Sequence, residues 1–533
     1  MKKIIAVVLS LLMFSVLFAG CKKDSGMLEV NFTLAGYGEE YVNELEKAFE
    51  AETNIPVHIT TDNNVTGIFS GKIGDVRNNT IDVFFNMMDC FPLIDSNKNK
   101  SGYDNLFLDL SELYQREVPG RGGKKLIDIV RPDLYEAGLT YEMDGSKGKA
   151  YTIPWSTSME GLLYNKKVLD KFGITQIPRT TNEFEDVLIR LKTGVDATGT
   201  YSPLEGALSS ANNAGYWEFI WVVWWAQYEG LDTFYTYFSG ETENSAPGDA
   251  PSWENLKQPG KQYAMEELYR FINKDKGYMS PDSVNTDNVQ VQVRFLDGDI
   301  AFIPSGDWVE AESAGDYEGV DLDYRFMKTP VTSKLGEKLG ISEQELIAAI
   351  DYVDGTTEVK PSFAVASGDT QKTDEIIARV AEARGLVSSL LSAHNKIAIP
   401  AYSDRIEEAY QFVLFFASDK GQEIMTKYAG APSAFDYRPS EEDMEEFSPF
   451  RRSIFEILND ENSQMVLSDT KYPIVYKAGL KRTAHYAMTN GNRGFEAVMY
   501  NGTTPVEQLY NADWQYYRDK WPTMLMQAGY GIA

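Results

Sequence analysis

The residues in this chain whose types suit chemistry are flat rings set beside hydroxyls, amides and carboxylates. That combination holds a polar small molecule more readily than it breaks a bond. The run Tyr151 to Lys167, Y-T-I-P-W-S-T-S-M-E-G-L-L-Y-N-K-K, puts Trp155 and Ser158 in a Ser/Thr-rich turn just after Pro154. Proline fixes φ and lacks an amide donor, so it breaks the strand where the chain changes direction. Trp308 follows F-L-D-G-D-I-A-F-I-P-S-G-D, Phe295 to Asp307. There Gly306 permits a sharp turn, so that Trp308, with Asp307 beside it, projects from a strand's end. A ring so placed can stack on the apolar face of a sugar; the alternative is a core filler. Trp217 lies in A-N-N-A-G-Y-W-E-F-I-W-V-V-W-W-A-Q, Ala211 to Gln227, which holds four of the nine tryptophans. At helical spacing Trp217, Trp221, Trp224 and Trp225 cannot all face a cleft, so most are core. Trp217, nearest the polar turn, either stacks on a ligand or packs.

Polar candidates occupy similar places. Tyr37 sits in the turn Gly36-Tyr37-Gly38 after a strand, where open α/β sheets place ligands. Asn86 and Asp89 follow the apolar run I-D-V-F-F-N, Ile81 to Asn86, and Asp89 could equally cap the next turn. Asn490, Asn492 and Arg493 in T-N-G-N-R-G could meet sugar hydroxyls or form a solvated loop. There is no H-E-x-x-H and no G-x-S-x-G, and three widely separated histidines argue against a His-rich metal site. No metal, cofactor or catalytic residue is expected. A secreted carbohydrate-active enzyme, which needs two positioned carboxylates, and a surface carbohydrate adhesin remain alternatives. A formal charge of -29 opposes nucleic acid.

The elements around these residues read as α/β. Leu28 to Leu34 alternates like a strand. Tyr41, Val42, Leu45, Ala48 and Phe49 recur at helical spacing, Asn54 stops the helix, and I-P-V-H-I-T forms a second strand. Such a β-α-β unit starts a parallel sheet. Further on, T-T-N-E offers a capping box with Thr180 as N-cap and Glu183 reaching back. Residues from about Pro330 to His394 read as an inserted, mostly helical region without assignable chemistry. I-A-I-P is a strand, and R-I-E-E-A-Y-Q-F-V-L-F-F-A is a helix with Ala409, Phe412, Val413 and Phe416 on one face.

The first residues, M-K-K and then an apolar run ending L-F-A-G-C, have the basic and apolar regions of a secretory signal and resemble the bacterial lipobox. That resemblance makes Cys21 the lipidated N-terminus and leaves Cys90 as the one remaining cysteine, so no internal disulfide is expected. No later apolar run is of membrane length.

These segments, in order, resemble the bacterial extracellular solute-binding proteins of ABC importers, in particular the carbohydrate-binding group that includes maltose-binding protein. The lipobox, I-D-V-F, I-P-W with G-L-L-Y-N-K-K-V-L, F-L-D-G-D-I-A-F with G-D-W, the E-E-A-Y-Q-F-V-L-F-F-A-S-D-K-G-Q helix, G-A-P and N-G-T-T-P-V-E-Q-L carry the resemblance. It implies a type II, two-lobed α/β fold with hinged lobes and the ligand between them. The implied division is a signal at 1–20, a tether at 21–27, lobe 1 at 28–154 and 395–430, and lobe 2 at 155–394, with an insertion from about 330, and at 431–533. It also implies a carbohydrate ligand, permease partners, a monomer, and a lipid anchor on the extracytoplasmic face of the cell membrane. Ser158 falls where maltose-binding relatives place an acidic sugar ligand, and Trp308 matches their sugar-stacking tryptophan.

Overall fold

The computed structural model describes residues 26–34, 36–64, 68–210, 216–242, 244–246, 248–467, 469–482 and 495–531. Two open sheets organise them. The first contains β1 (Leu28–Thr33), β2 (Val57–Asp62), β3 (Val83–Met87), β4 (Ile153–Pro154) and, from much later in the chain, β10 (Asn395–Ala398). Their order is β2-β1-β3-β10-β4. β1 pairs in parallel with β2, Leu28 opposite Val57, and with β3, Val30 opposite Val83. β10 runs antiparallel to both β3 and β4. The β1-β2 crossover is helix α1 (Glu40–Thr53), which ends at Asn54 with φ 59°, a left-handed stop that Asn tolerates.

The second sheet has six strands. They are β5 (Glu160–Asn165), β6 (Gly206–Leu208), β7 (Ile300–Gly306), β8 (Tyr324–Met327), β9 (Leu386–Ser389) and β11 (Gln464–Leu467). The order is β11-β9-β5-β7-β6, and β8 also pairs with β5. β5 and β7 are antiparallel, with Glu160 opposite Gly306. That register brings the Ser/Thr-rich turn before β5 next to the Gly-Asp-Trp turn after β7.

Each sheet has its own core. In the first lobe Phe32 stacks on Phe85 at 4.0 Å, and Phe49 of α1 meets Phe412 at 5.0 Å. Phe412 belongs to α8 (Ile406–Ala417), whose Ala409, Phe412, Val413 and Phe416 are fully buried. In the second lobe α3 (Glu218–Glu229) is buried all round, from Phe219 through Gln227. Trp224 and Trp225 satisfy their indole N–H groups on the Pro330 carbonyl, at 3.0 Å, and the Gln258 side chain, at 2.7 Å. Helix α4 (Pro259–Ile272) is tied to the C-terminal α10 (Val506–Ala528) by a buried Lys261–Asp513 pair at 2.5 Å.

Helices α6 (Glu343–Val353) and α7 (Thr370–Gly385) enclose a small separate core of Leu335, Leu346, Ile350, Ile376 and Val380. The chain then leaves helical structure, since Leu386–Ser389 is a strand of the second sheet. Thr180 does cap α2 (Thr181–Lys192), accepting from the Glu183 amide. The reciprocal arm differs from a capping box: the Glu183 carboxylate accepts from the Arg179 amide at 2.9 Å, one residue earlier than expected. Its pull towards the Arg179 guanidinium accounts for the shift.

Three segments join the lobes, and they are laced together. Ser156 bridges Ser433, the Thr157 amide donates to the Pro432 carbonyl at 3.2 Å, and the Trp155 amide donates to the Asn395 carbonyl at 3.1 Å. The Ser389 hydroxyl donates to the carbonyls of Thr157 and Ser158. Ala431, Ala434 and Phe435 still pack in the first core, so the third segment enters the second lobe beyond them.

Candidate ligand-binding site

At the seam between the lobes, short turns at strand ends present the polar and aromatic groups. Tyr37 is carried by a turn whose flanking Gly36 and Gly38 have φ of 94° and 74°, a region only glycine enters freely. A side chain on Gly36 would meet the Glu312 carboxylate at 3.1 Å and the Trp308 Cβ at 3.4 Å, so this turn of lobe 1 lies directly on lobe 2. The Tyr37 hydroxyl donates to Asp307 Oδ1 at 3.0 Å. The other carboxylate oxygen accepts the Met159 amide at 3.1 Å. Burial, reinforced by the neighbouring Glu160 carboxylate, pushes the Asp307 carboxyl up to about 8.

Trp308 keeps 9% of its surface exposed. Its ring is not placed by the sharp turn expected at Gly306. Gly306 ends β7 without entering the left-handed region. What matters is its missing side chain: a Cβ there would lie 2.0 Å from the indole, which folds back over the strand end. Tyr216 and Phe219 hold the ring edge-on, at 6.0 and 6.3 Å. The Tyr216 hydroxyl in turn accepts from the Asn288 side-chain Nδ2 at 3.1 Å.

Ser158 takes a left-handed φ of 40°, and its hydroxyl donates to Glu160 at 2.7 Å. Glu160 is buried in the hinge and also accepts from Ser388 Oγ at 3.0 Å and from the amides of Leu390 and Leu391 at 2.8 and 3.2 Å. Burial raises its carboxyl, and these donors oppose the rise. Trp155 is fully buried; its indole donates to the Asn86 carbonyl at 3.1 Å, and its ring meets Tyr37 edge-on at 5.8 Å. The Asn86 side chain donates to the Lys396 carbonyl at 2.8 Å and accepts the Met88 amide at 3.1 Å. Asp89 accepts the Phe91 amide at 3.1 Å, and burial pushes its carboxyl up to about 6. Trp217 is 2% exposed and lies in the second core, one residue from the ring that touches Trp308.

The structure therefore brings Tyr37, Asn86, Trp155, Ser158, Asp307 and Trp308 into one chain of contacts, with Asp89 two residues beyond the end of β3. Asn490, Arg493 and Cys21 lie outside the described residues. Three groups escaped the sequence reading. Glu160 was visible as a lone carboxylate in an apolar run, and Lys396 as a lone cation in a strand. Burial lowers the Lys396 ammonium to about 8. His394, the residue before Asn395, is pulled down to about 4 by burial with help from Arg482 and Lys396.

A cavity of about 380 Å³ lies elsewhere between the lobes. Glu136, Tyr141 and Lys147 line it from lobe 1, and Glu241, Ser245 and Lys471 from lobe 2. Tyr141 bonds Glu241 across it and meets the Tyr472 ring at 5.6 Å. Among the described residues no helix is long and apolar enough to cross a membrane.

Polar and aromatic groups of both α/β lobes thus converge at their seam. The sequence model described as bacterial extracellular solute-binding protein matches residues 35–423. A probable secreted solute-binding lipoprotein from Streptomyces coelicolor superposes with a TM-score of 0.59 at 13% identity, covering 93% of this chain and 100% of that one. RafE in complex with raffinose gives 0.54 at 14%, covering 92% and 99%. A family 1 extracellular solute-binding protein from Bifidobacterium longum subsp. infantis gives 0.52 at 14%, covering 93% and 99%. With the family pattern running through most of the chain and the two-lobed fold beneath it, this chain belongs to the bacterial extracellular solute-binding proteins.

Proposed function

We propose that this protein captures a carbohydrate, an oligosaccharide in the first instance, between its lobes and delivers it to the permease of an ABC importer. The observation that carries the reading is the Trp308 indole, laid over Gly306 and braced by Tyr216, on a residue whose Cβ and whose neighbour Asp307 meet the Tyr37 turn of the other lobe. A flat ring covers the apolar face of a sugar, while carboxylates, amides and hydroxyls around it meet the hydroxyls. That RafE was solved with raffinose supports a sugar as the class. Ligand contacts from both lobes exist together only when the lobes approach, so binding favours closure. Energy for transport comes from ATP hydrolysed by other subunits. Cys21, after processing, anchors the monomer by lipid to the outer face of the cell membrane, and metabolic labelling with palmitate, lost in Cys21→Ala, tests this.

Isothermal titration against a sugar panel, with product analysis, tests the main reading. Stoichiometric binding without turnover is the expected result. Cleavage of a glycosidic bond would instead make the protein an enzyme, with Glu160 and Asp307 as its first carboxyl candidates.

A further inference from the structure

We propose that closing the lobes takes up a proton at Asp307, so that this protein closes more readily as the medium acidifies. The inference goes beyond the carbohydrate reading and needs only the two-lobed fold. Its basis is one hydrogen bond: Tyr37 of lobe 1 donates to Asp307 of lobe 2 at 3.0 Å, inside the seam. Both residues are nearly inaccessible, at 2% and 3% exposure. Opening the lobes must break this bond and return the carboxyl to water. Closing buries it beside the Glu160 carboxylate of β5, which adds to the cost of burying its charge, while the Tyr37 phenol favours that charge by donating to it. Near that phenol lies the buried Tyr41 of α1, whose hydroxyl has no partner among the described residues. Glu312, from the helix after Trp308, lies against Gly36 and is taken up by Gln292 at 2.9 Å. Besides Tyr37, the Met159 amide and the backbone amide of Asp307 itself oppose the rise.

A closed-state carboxyl raised to about 8 returns towards the ordinary value near 4 when the lobes part. The sign follows from linkage: the closed form binds more protons over that window, so closure weakens as pH rises through it and is insensitive outside it. Either protonation state keeps the bond, because a carboxylate accepts from the phenol and a carboxylic acid donates to the phenol oxygen.

The test is the lobe-to-lobe distance of the full mature chain, measured without ligand by single-molecule energy transfer between surface labels from pH 6 to pH 9. The closed-to-open ratio should fall by up to about tenfold per pH unit up to pH 8, one proton per closure, and level off above. Asp307→Asn should abolish the slope. Tyr37→Phe, which keeps the carboxyl and loses its cross-lobe donor, should lower the closed fraction at every pH and keep the slope. A ratio indifferent to pH in the unmodified protein, or a slope that survives in Asp307→Asn, overturns the proposal. Neither outcome bears on which solute is bound.

Discussion

Trp308 can lie where it does because position 306 carries no side chain. Gly306→Ala would set a methyl 2.0 to 2.4 Å from three indole carbons, so the ring must swing off the strand end. If that ring stacks on the solute, Gly306→Ala and Trp308→Ala should weaken binding alike, each by roughly 1 to 3 kcal/mol. Isothermal titration with the tightest sugar of the panel checks this, and an unchanged affinity in both variants would remove the ring from the site. Trp155 sets the contrast. It is as aromatic as Trp308 and lies in the most distinctive run of the sequence, yet it is fully buried, with its indole N–H taken by the Asn86 carbonyl. Residue type and local spacing mark a ring as available; only the packing of distant segments decides whether a ligand can touch it.

At the scale of elements, a buried tie joins α4 to α10 through Lys261 and Asp513. The ammonium donates to Asp513 at 2.5 Å and to the Tyr237 hydroxyl at 2.7 Å, and it lies 4.5 Å from the Tyr237 ring centroid. Burial lowers the Lys261 ammonium, and Asp513 is the main opposing influence. Asp513→Ala strands a buried charge and should cost about 3 to 5 kcal/mol, whereas the double change Lys261→Met with Asp513→Leu should recover most of it. Thermal unfolding of the second lobe distinguishes the two; equal destabilisation by the single and double variants would show the pair itself to be indispensable. This tie was not legible in the sequence, because its partners are far apart in the chain. The strands and helices were, for a physical reason. Val30 and Phe32 face the first core at a spacing of two, and Ala409, Phe412, Val413 and Phe416 face the same core at helical spacing, so each element announces its own buried side. The site is made of turns, where periodicity stops. Its glycines and tryptophans could be seen, but the Glu160 cluster could not, since its donors Ser388, Leu390 and Leu391 return from a distant segment.

For the whole molecule, the lobes meet along more than the Tyr37–Asp307 contact. Lys477 pairs with Asp95 at 3.1 Å, and Tyr476 stacks near Phe91 at 6.5 Å, both linking the C-terminal part of lobe 2 to the helix after Asp89. These contacts differ in kind. The Lys477 pair is about a third exposed on each side, so water and salt screen it to about 0 to 1 kcal/mol. The Asp307 bond is shut away from both. Raising the salt from 0.05 to 0.5 M should therefore change the closed-to-open ratio by no more than about fivefold, and Lys477→Ala should remove that response. The pH response carried by Asp307 should survive in the same variant. Adding the solute should then compact the molecule in small-angle scattering at every salt concentration, because contacts with both lobes outweigh the rim. A radius of gyration that does not fall at saturation would mean that the lobes already rest together without ligand, held by the seam alone.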